Sequence, residues 1–108
     1  MKILQVEQSD SISGTSLKGY VNTTYDDLVD RFGEPTYTNG DKITAEWALE
    51  FKVLDEDAED NDDFDYVTAT IYDWKETATP MGKYNWHIGG FDSRAVEAVE
   101  KALGVNYA

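Results

Sequence analysis

The chain has no cysteine, one histidine and two prolines, and its 9 basic residues face 22 acidic ones. Without cysteine, neither a disulfide framework nor a thiolate metal site can form, which suits a reducing compartment. With one imidazole, any nucleophilic triad would have to be built on His87, and no Ser or acid spacing points to one. A glycine-rich phosphate loop, a Gly-x-Ser-x-Gly elbow and a His-Glu-x-x-His pair are all missing. The sequence is therefore read as non-enzymatic and without a cofactor. No apolar run approaches the roughly 20 residues that span a bilayer. The opening MKILQVEQSD also lacks the apolar stretch and small-residue cleavage pattern of a secretion signal. The expectation is a soluble intracellular protein that touches no membrane.

What is present is acid and aromatic surface. Residues 1–108 are read as a single domain, because 41% hydrophobic and 13% aromatic content is enough for one modest core. The formal charge is −13, and eight of the acids fall between Asp55 and Asp65, leaving −5 for the rest of the chain. A field of that sign disfavours direct nucleic-acid binding and favours encounter with basic protein surfaces.

Three stretches carry the sheet. ITAEWALEFKVL places Ile43, Ala45, Trp47, Leu49, Phe51 and Val53 on one side, the period of two of a half-buried strand. FDYVTATIYDWKE, from Phe64 to Glu76, puts Val67, Ala69 and Ile71 on one face and Tyr66, Thr68, Thr70, Tyr72 and Trp74 on the other. Asp73, by parity on the aliphatic face, is expected at the exposed margin of the sheet. YNWHIGG is a third, short strand. KILQVE and LKGYVNT are earlier strands, the second with Leu17, Gly19 and Val21 on one side and Lys18 and Tyr20 on the other.

Two helices complete the pattern. Tyr25, Leu28, Val29 and Phe32 form one apolar stripe behind a Thr24 cap, ended by Gly33 and Pro35. Ala95, Val96, Val99, Ala102 and Leu103 form another, capped by Asp92 or Ser93 and stopped at Gly104, with VNYA as a fraying tail. The fold expected is α+β: a single antiparallel sheet of about five strands with two helices on one face, in the order β-β-α-β-β-β-α. The last three strands should pair as sequential hairpins.

Two surfaces are candidate sites. The first is the acidic connection, an exposed mobile loop over 55–63, with Asp55, Glu56, Asp57, Glu59, Asp60, Asp62 and Asp63 as partner-binding residues. Asp55, Asp57, Glu59 and Asn61 match alternate positions of a calcium loop. Asp60 stands where the turn glycine belongs, however, and Tyr66 where the bidentate Glu belongs, so no metal is assigned. The second is the aromatic set, with Tyr72, Trp74, Lys75 and His87 as ligand- or partner-binding residues and Trp47 and Trp86 assigned to the core. Lys75, Lys83 and Arg94 lie close in sequence to the second helix, whose first N–H groups could meet an anion after Gly89–Gly90.

GTSLKGY (14–20), DRFGEPTY (30–37), AEWALEF (45–51), VTATIYDWK (67–75) and YNWHIGG (84–90) together are similar to a group of small accessory proteins of tailed bacteriophages. The resemblance implies a protein made in the cytoplasm of an infected bacterial host and carries over no activity to any residue. The function expected is a non-enzymatic, anti-defence binding protein that blocks a basic host protein handling nucleic acid, with the carboxylates acting as a DNA-like array. The alternatives are a nucleotide-like small-molecule binder on the aromatic face and a virion-associated structural accessory protein.

Overall fold

The computed structural model describes residues 1–10, 12–60 and 62–104. It contains β1 (Lys2–Gln8), β2 (Ser16–Thr23), α1 (Tyr25–Phe32), β3 (Tyr37–Thr38), β4 (Ala45–Leu54), β5 (Phe64–Tyr72), β6 (Tyr84–Gly90) and α2 (Arg94–Leu103). The expected VNYA tail and Asn61 lie outside the described residues. The class is α+β, a single antiparallel sheet with two helices.

The sheet runs β1-β4-β5-β6-β2 in space, and β3 also pairs with β4. The hairpins β4–β5 and β5–β6 follow the expected order, with Trp47 opposite Ile71 and Ile71 opposite Ile88. β1 and β2, adjacent in sequence, lie at opposite edges. The sheet therefore has six strands where about five were expected. The sixth is the two-residue β3, whose Tyr37 and Thr38 sit opposite Glu46 and Ala45. Asn39, at φ 60, reverses the chain, and its N–H donates to the Thr44 carbonyl at 3.0 Å. Two residues are too few to show a period, so this segment looks like a turn in the sequence.

The three central strands send their apolar alternation to one face. Trp47, Leu49 and Phe51 of β4, Val67, Ala69 and Ile71 of β5, and Trp86 and Ile88 of β6 are all buried there, together with Leu28 and Phe32 of α1 and Ala95, Ala98 and Val99 of α2. Phe32 meets Phe51 edge to face at 6.1 Å, and Trp47 meets Trp86 at 5.5 Å. Both helices thus share one face, and Trp47 and Trp86 are core. Gly90 lets α2 approach closely, since a Cβ there would run into Ala95 Cβ and would stand 3.1 Å from the Thr68 carbonyl.

The caps have the chemistry the residues suggest. Thr24 Oγ1 accepts the Asp27 N–H at 3.1 Å. At α2 the Ser93 side chain makes no cap bond, and Asp92 Oδ1 instead accepts the Arg94 N–H at 2.9 Å. Gln8 ties β1 to the chain after α1: its Nε2 donates to the Phe32 carbonyl at 3.1 Å, and its Oε1 accepts from Thr36 Oγ1 at 2.9 Å.

Two expectations fail at strand ends. β5 stops at Tyr72 rather than running to Glu76, because Lys75 adopts φ 57 and breaks the extended backbone. Asp73 is not at an exposed margin but fully buried, and its carboxylate accepts from Thr44 N–H at 2.7 Å, Thr44 Oγ1 at 2.5 Å and Ala45 N–H at 3.2 Å. A buried carboxylate needs donors, and Thr44 and Ala45, where the chain enters β4, supply three.

Candidate functional site

Among the described residues no helix lies on the other face of the sheet. At one end of it, β5, β6 and β2 bring rings together from distant parts of the sequence. His87 stacks on Tyr72 with centroids 5.3 Å apart and planes at 29°. Tyr20, opposite His87 in the β2–β6 register, meets it edge-on at 4.9 Å. Trp74 meets Tyr72 edge to face at 6.5 Å. With Leu17 these four rings line a cleft of about 420 Å³. Leu17 belongs here rather than beside Gly19 and Val21. The register shifts between Leu17 and Gly19, and such a bulge reverses the alternation.

Tyr72, Trp74 and His87 were singled out in the sequence and do converge. Lys75 joins them less directly: its Nζ is 6.0 Å from the Trp74 ring centroid, and Lys42 Nζ is 5.8 Å from the same ring. On the far side of Trp74 a second cleft of about 450 Å³ is lined by Tyr37, Thr38, Gly40, Asp41, Lys42, Ile43, Glu46 and Trp74. Tyr20, Leu17, Lys42 and Glu46 were not picked out from the sequence. The one signal available for Tyr20 was its parity opposite Val21.

Electrostatics differ across this end. Burial holds the His87 imidazole below its usual range, against the pull of Asp73 and Glu76. Among the described residues its Nδ1 is buried without a hydrogen-bond partner, and the ring serves here as a stacking surface. Burial raises the Glu46 carboxyl. Tyr72 is raised first by burial and then by Glu46.

The backbone beneath Trp74 is held by the Asp73 network, which extends from Thr44 Oγ1 to Thr79 Oγ1 at 2.6 Å. A further bond joins Lys75 N–H to the Lys42 carbonyl at 2.8 Å. The left-handed φ at Lys75 costs a non-glycine residue on the order of 1 kcal/mol, and these bonds keep it in place.

The acidic residues lie at the opposite end of β5, about 27 Å away for a nine-residue strand. Asp55, Glu56, Asp57, Glu59, Asp60, Asp62 and Asp63 are all exposed. Two successive turns carry them: Ala58 N–H donates to the Asp55 carbonyl and Asp63 N–H to the Asp60 carbonyl, each at 3.0 Å. Asp60 Oδ1 also accepts the Asp62 N–H at 3.1 Å. Glu56 stands 3.0 Å from the Met1 amino nitrogen and 3.8 Å from Lys101 Nζ, and these cations lower its carboxyl. Among the described residues no three acidic or imidazole side chains are grouped to hold a metal ion.

The anion position suggested at the start of α2 is already filled from within. Asp92 takes the Arg94 N–H, and the guanidinium is shared between Asp65 at 2.8 Å and Asp92 at 3.2 Å. The two carboxylates hold Arg94 above its usual range, and Arg94 lowers both of theirs. Tyr66 stands near this end, edge-on to Phe64 at 5.5 Å, with Lys52 Nζ 4.0 Å from the Phe64 centroid.

Fold and surface together define an α+β single-sheet protein with helices on one face and exposed rings on the other. No protein-family model, no curated protein and no solved structure matches this chain.

Proposed function

We propose that this chain is a non-catalytic binding protein that docks a basic protein onto the helix-free face of its sheet. The observation that carries the reading is the set of exposed apolar side chains at both ends of that face: Leu17, Tyr20 and Trp74 at one, Phe64 and Tyr66 at the other, each between 37% and 52% exposed. Large rings left in water at this density mark contact surfaces.

A standard interface buries about 800 Å² per partner, a patch on the order of 30 Å across. A partner covering the face therefore reaches from Trp74 to the acidic turns. The net charge of −13 favours a basic partner and speeds its approach. The likeness to small tailed-phage proteins directs the search to a bacterial host, where a protein that handles nucleic acid offers such a surface.

The test is affinity capture from bacterial lysate with the full chain, followed by measurement of the purified pair. Leu17→Ala with Tyr20→Ala should weaken binding at least tenfold, the scale of interface hot spots. Neutralising Asp57, Glu59, Asp60, Asp62 and Asp63 to Asn or Gln should slow association and flatten its salt dependence while leaving dissociation nearly unchanged. A partner whose affinity ignores both sets of changes would overturn the reading.

A further inference from the structure

The cleft between Tyr37 and Trp74 shares the Trp74 ring with the docking face and adds two kinds of group that the docking face does not need. Its floor is the Trp74 ring, 40% exposed, with Tyr37 across from it at 43%. Two ammonium groups, Lys42 and Lys75, stand at 5.8 and 6.0 Å from that ring's centroid, and neither is in an ion pair among the described residues. Lys42 lines the cleft beside Asp41, and Lys75 stands at the Trp74 ring that floors it, so cationic and acidic groups share this rim. The third element is Glu46. It is half-buried in the cleft wall, and no hydrogen bond or ion pair engages its carboxylate among the described residues.

A half-buried carboxylate without donors is complementary to a ligand edge that presents two parallel N–H groups. A flat ring with such an edge also fits the aromatic floor, and an anionic substituent fits the lysines. Guanine unites these properties: N1–H and N2–H lie side by side on its Watson–Crick edge, and its nucleotides carry phosphate. Adenine presents an acceptor at N1 instead and would set a lone pair against the carboxylate. At about 450 Å³ the cleft lies within the range of small-ligand sites.

We infer that this cleft binds a guanine nucleotide, with the base stacked on Trp74, its N1–H and N2–H donating to Glu46, and its phosphate held by Lys42 and Lys75. The assignment shares Trp74 with the docking face, whereas Leu17, Tyr20, Phe64 and Tyr66 take no part in it. Thr38, Gly40, Asp41 and Ile43 form the remaining wall. The turn that carries this wall is anchored by the Asp73 network and by the Lys75 N–H to Lys42 carbonyl bond, so the ring and one lysine are positioned before a ligand arrives.

Tryptophan emission tests this directly, because Trp47 and Trp86 have no exposed surface and Trp74 is the one exposed indole. Guanosine 5′-monophosphate added to the full chain should quench the emission saturably. It should bind about tenfold or more tighter than adenosine 5′-monophosphate, the discrimination expected of one bidentate pair. Glu46→Gln should remove that preference, since an amide can serve either edge. Lys42→Gln with Lys75→Gln should bring the monophosphate down to the affinity of guanosine alone. Far-ultraviolet circular dichroism identifies any variant that has lost its fold.

Several results would overturn the inference: no saturable quenching into the millimolar range, equal affinity for the two monophosphates, or a guanine preference that survives Glu46→Gln. Tighter binding of a single-stranded guanine-containing tetranucleotide than of the mononucleotide would also overturn it, by making the site a nucleic-acid groove. Failure here leaves the protein-docking result untouched, and loss of docking in the Leu17 and Tyr20 variant leaves this titration untouched.

Discussion

Replacing Asp73 with Ala removes the buried acceptor that three donors share. The Thr44 N–H at 2.7 Å, the Ala45 N–H at 3.2 Å and the Thr44 hydroxyl at 2.5 Å lose as their partner a carboxylate with no solvent exposure. A buried donor left unsatisfied costs about 1–3 kcal/mol, and the Thr44 hydroxyl can still turn to Thr79, so the expected loss is about 3–5 kcal/mol. That is a large share of the roughly 5–15 kcal/mol that holds a domain of this kind folded. In thermal terms it corresponds to a fall in Tm of about 15–30 °C. Urea unfolding followed by tryptophan emission measures it, with an unchanged slope showing that the native and unfolded states are otherwise comparable. Asp73→Asn keeps one oxygen for the two N–H groups and should lose only about 1–2 kcal/mol. A loss below about 1 kcal/mol in the Ala variant would refute the reasoning, as would equal losses for Ala and Asn.

Gly90→Ala should destabilise by about 1–3 kcal/mol in the same assay, because the added methyl meets Ala95 Cβ and the Thr68 carbonyl and pushes α2 off the sheet. The His87 ring, followed by NMR, should titrate below its usual value of about 6.5, since burial disfavours its charged form. The unfolded chain then takes up the proton first as the pH falls. This contribution to stability is complete above the unfolded value and declines as the pH drops through it towards the folded one. Glu46, raised by burial, has the opposite sign: its contribution is present below the unfolded value and is lost as the pH rises through the folded one. Glu46→Gln should therefore raise the urea midpoint at pH 7 relative to the native chain, with the gain shrinking near pH 4. An equal midpoint at pH 7 would count against an unpaired, half-buried carboxylate.

Much of the sheet was legible because its information is local. The alternation of Ala45, Trp47, Leu49, Phe51 and Val53 declares a buried face within one strand, and the same holds for Val67, Ala69 and Ile71. Helix caps and stops are equally local, as Thr24, Gly33 and Gly104 illustrate. What escaped was set by register between distant segments. That β1 takes one edge and β2 the other depends on which partner fits, which no local period encodes. Leu17 changed faces because of a one-residue shift against β6, and Asp73 went inward because Thr44 and Ala45, nearly 30 residues earlier, present donors to it. The candidate site shows the same division. Tyr72 and Trp74 are two apart in sequence and His87 lies on the neighbouring strand, whereas Tyr20, Lys42 and Glu46 reach Trp74 and His87 only through long-range pairing and the β3–β4 turn.

The placement of β1 and β2 at opposite edges constrains the chain in a way that neither strand alone would. Seven residues, 9–15, join them across four interstrand spacings, a width of about 19 Å. Fully extended, the eight backbone steps from Gln8 to Ser16 reach about 28 Å, so the connection already uses some two-thirds of its length. It behaves as a short tether: removing three residues would leave about 17 Å of reach, too little for both outer strands to stay paired at once. Insertions face no such limit, because lengthening a loop costs little. Chains with this topology can therefore vary by growth between Gln8 and Ser16 and scarcely at all by loss, an asymmetry in tolerated length that follows from the width of the sheet.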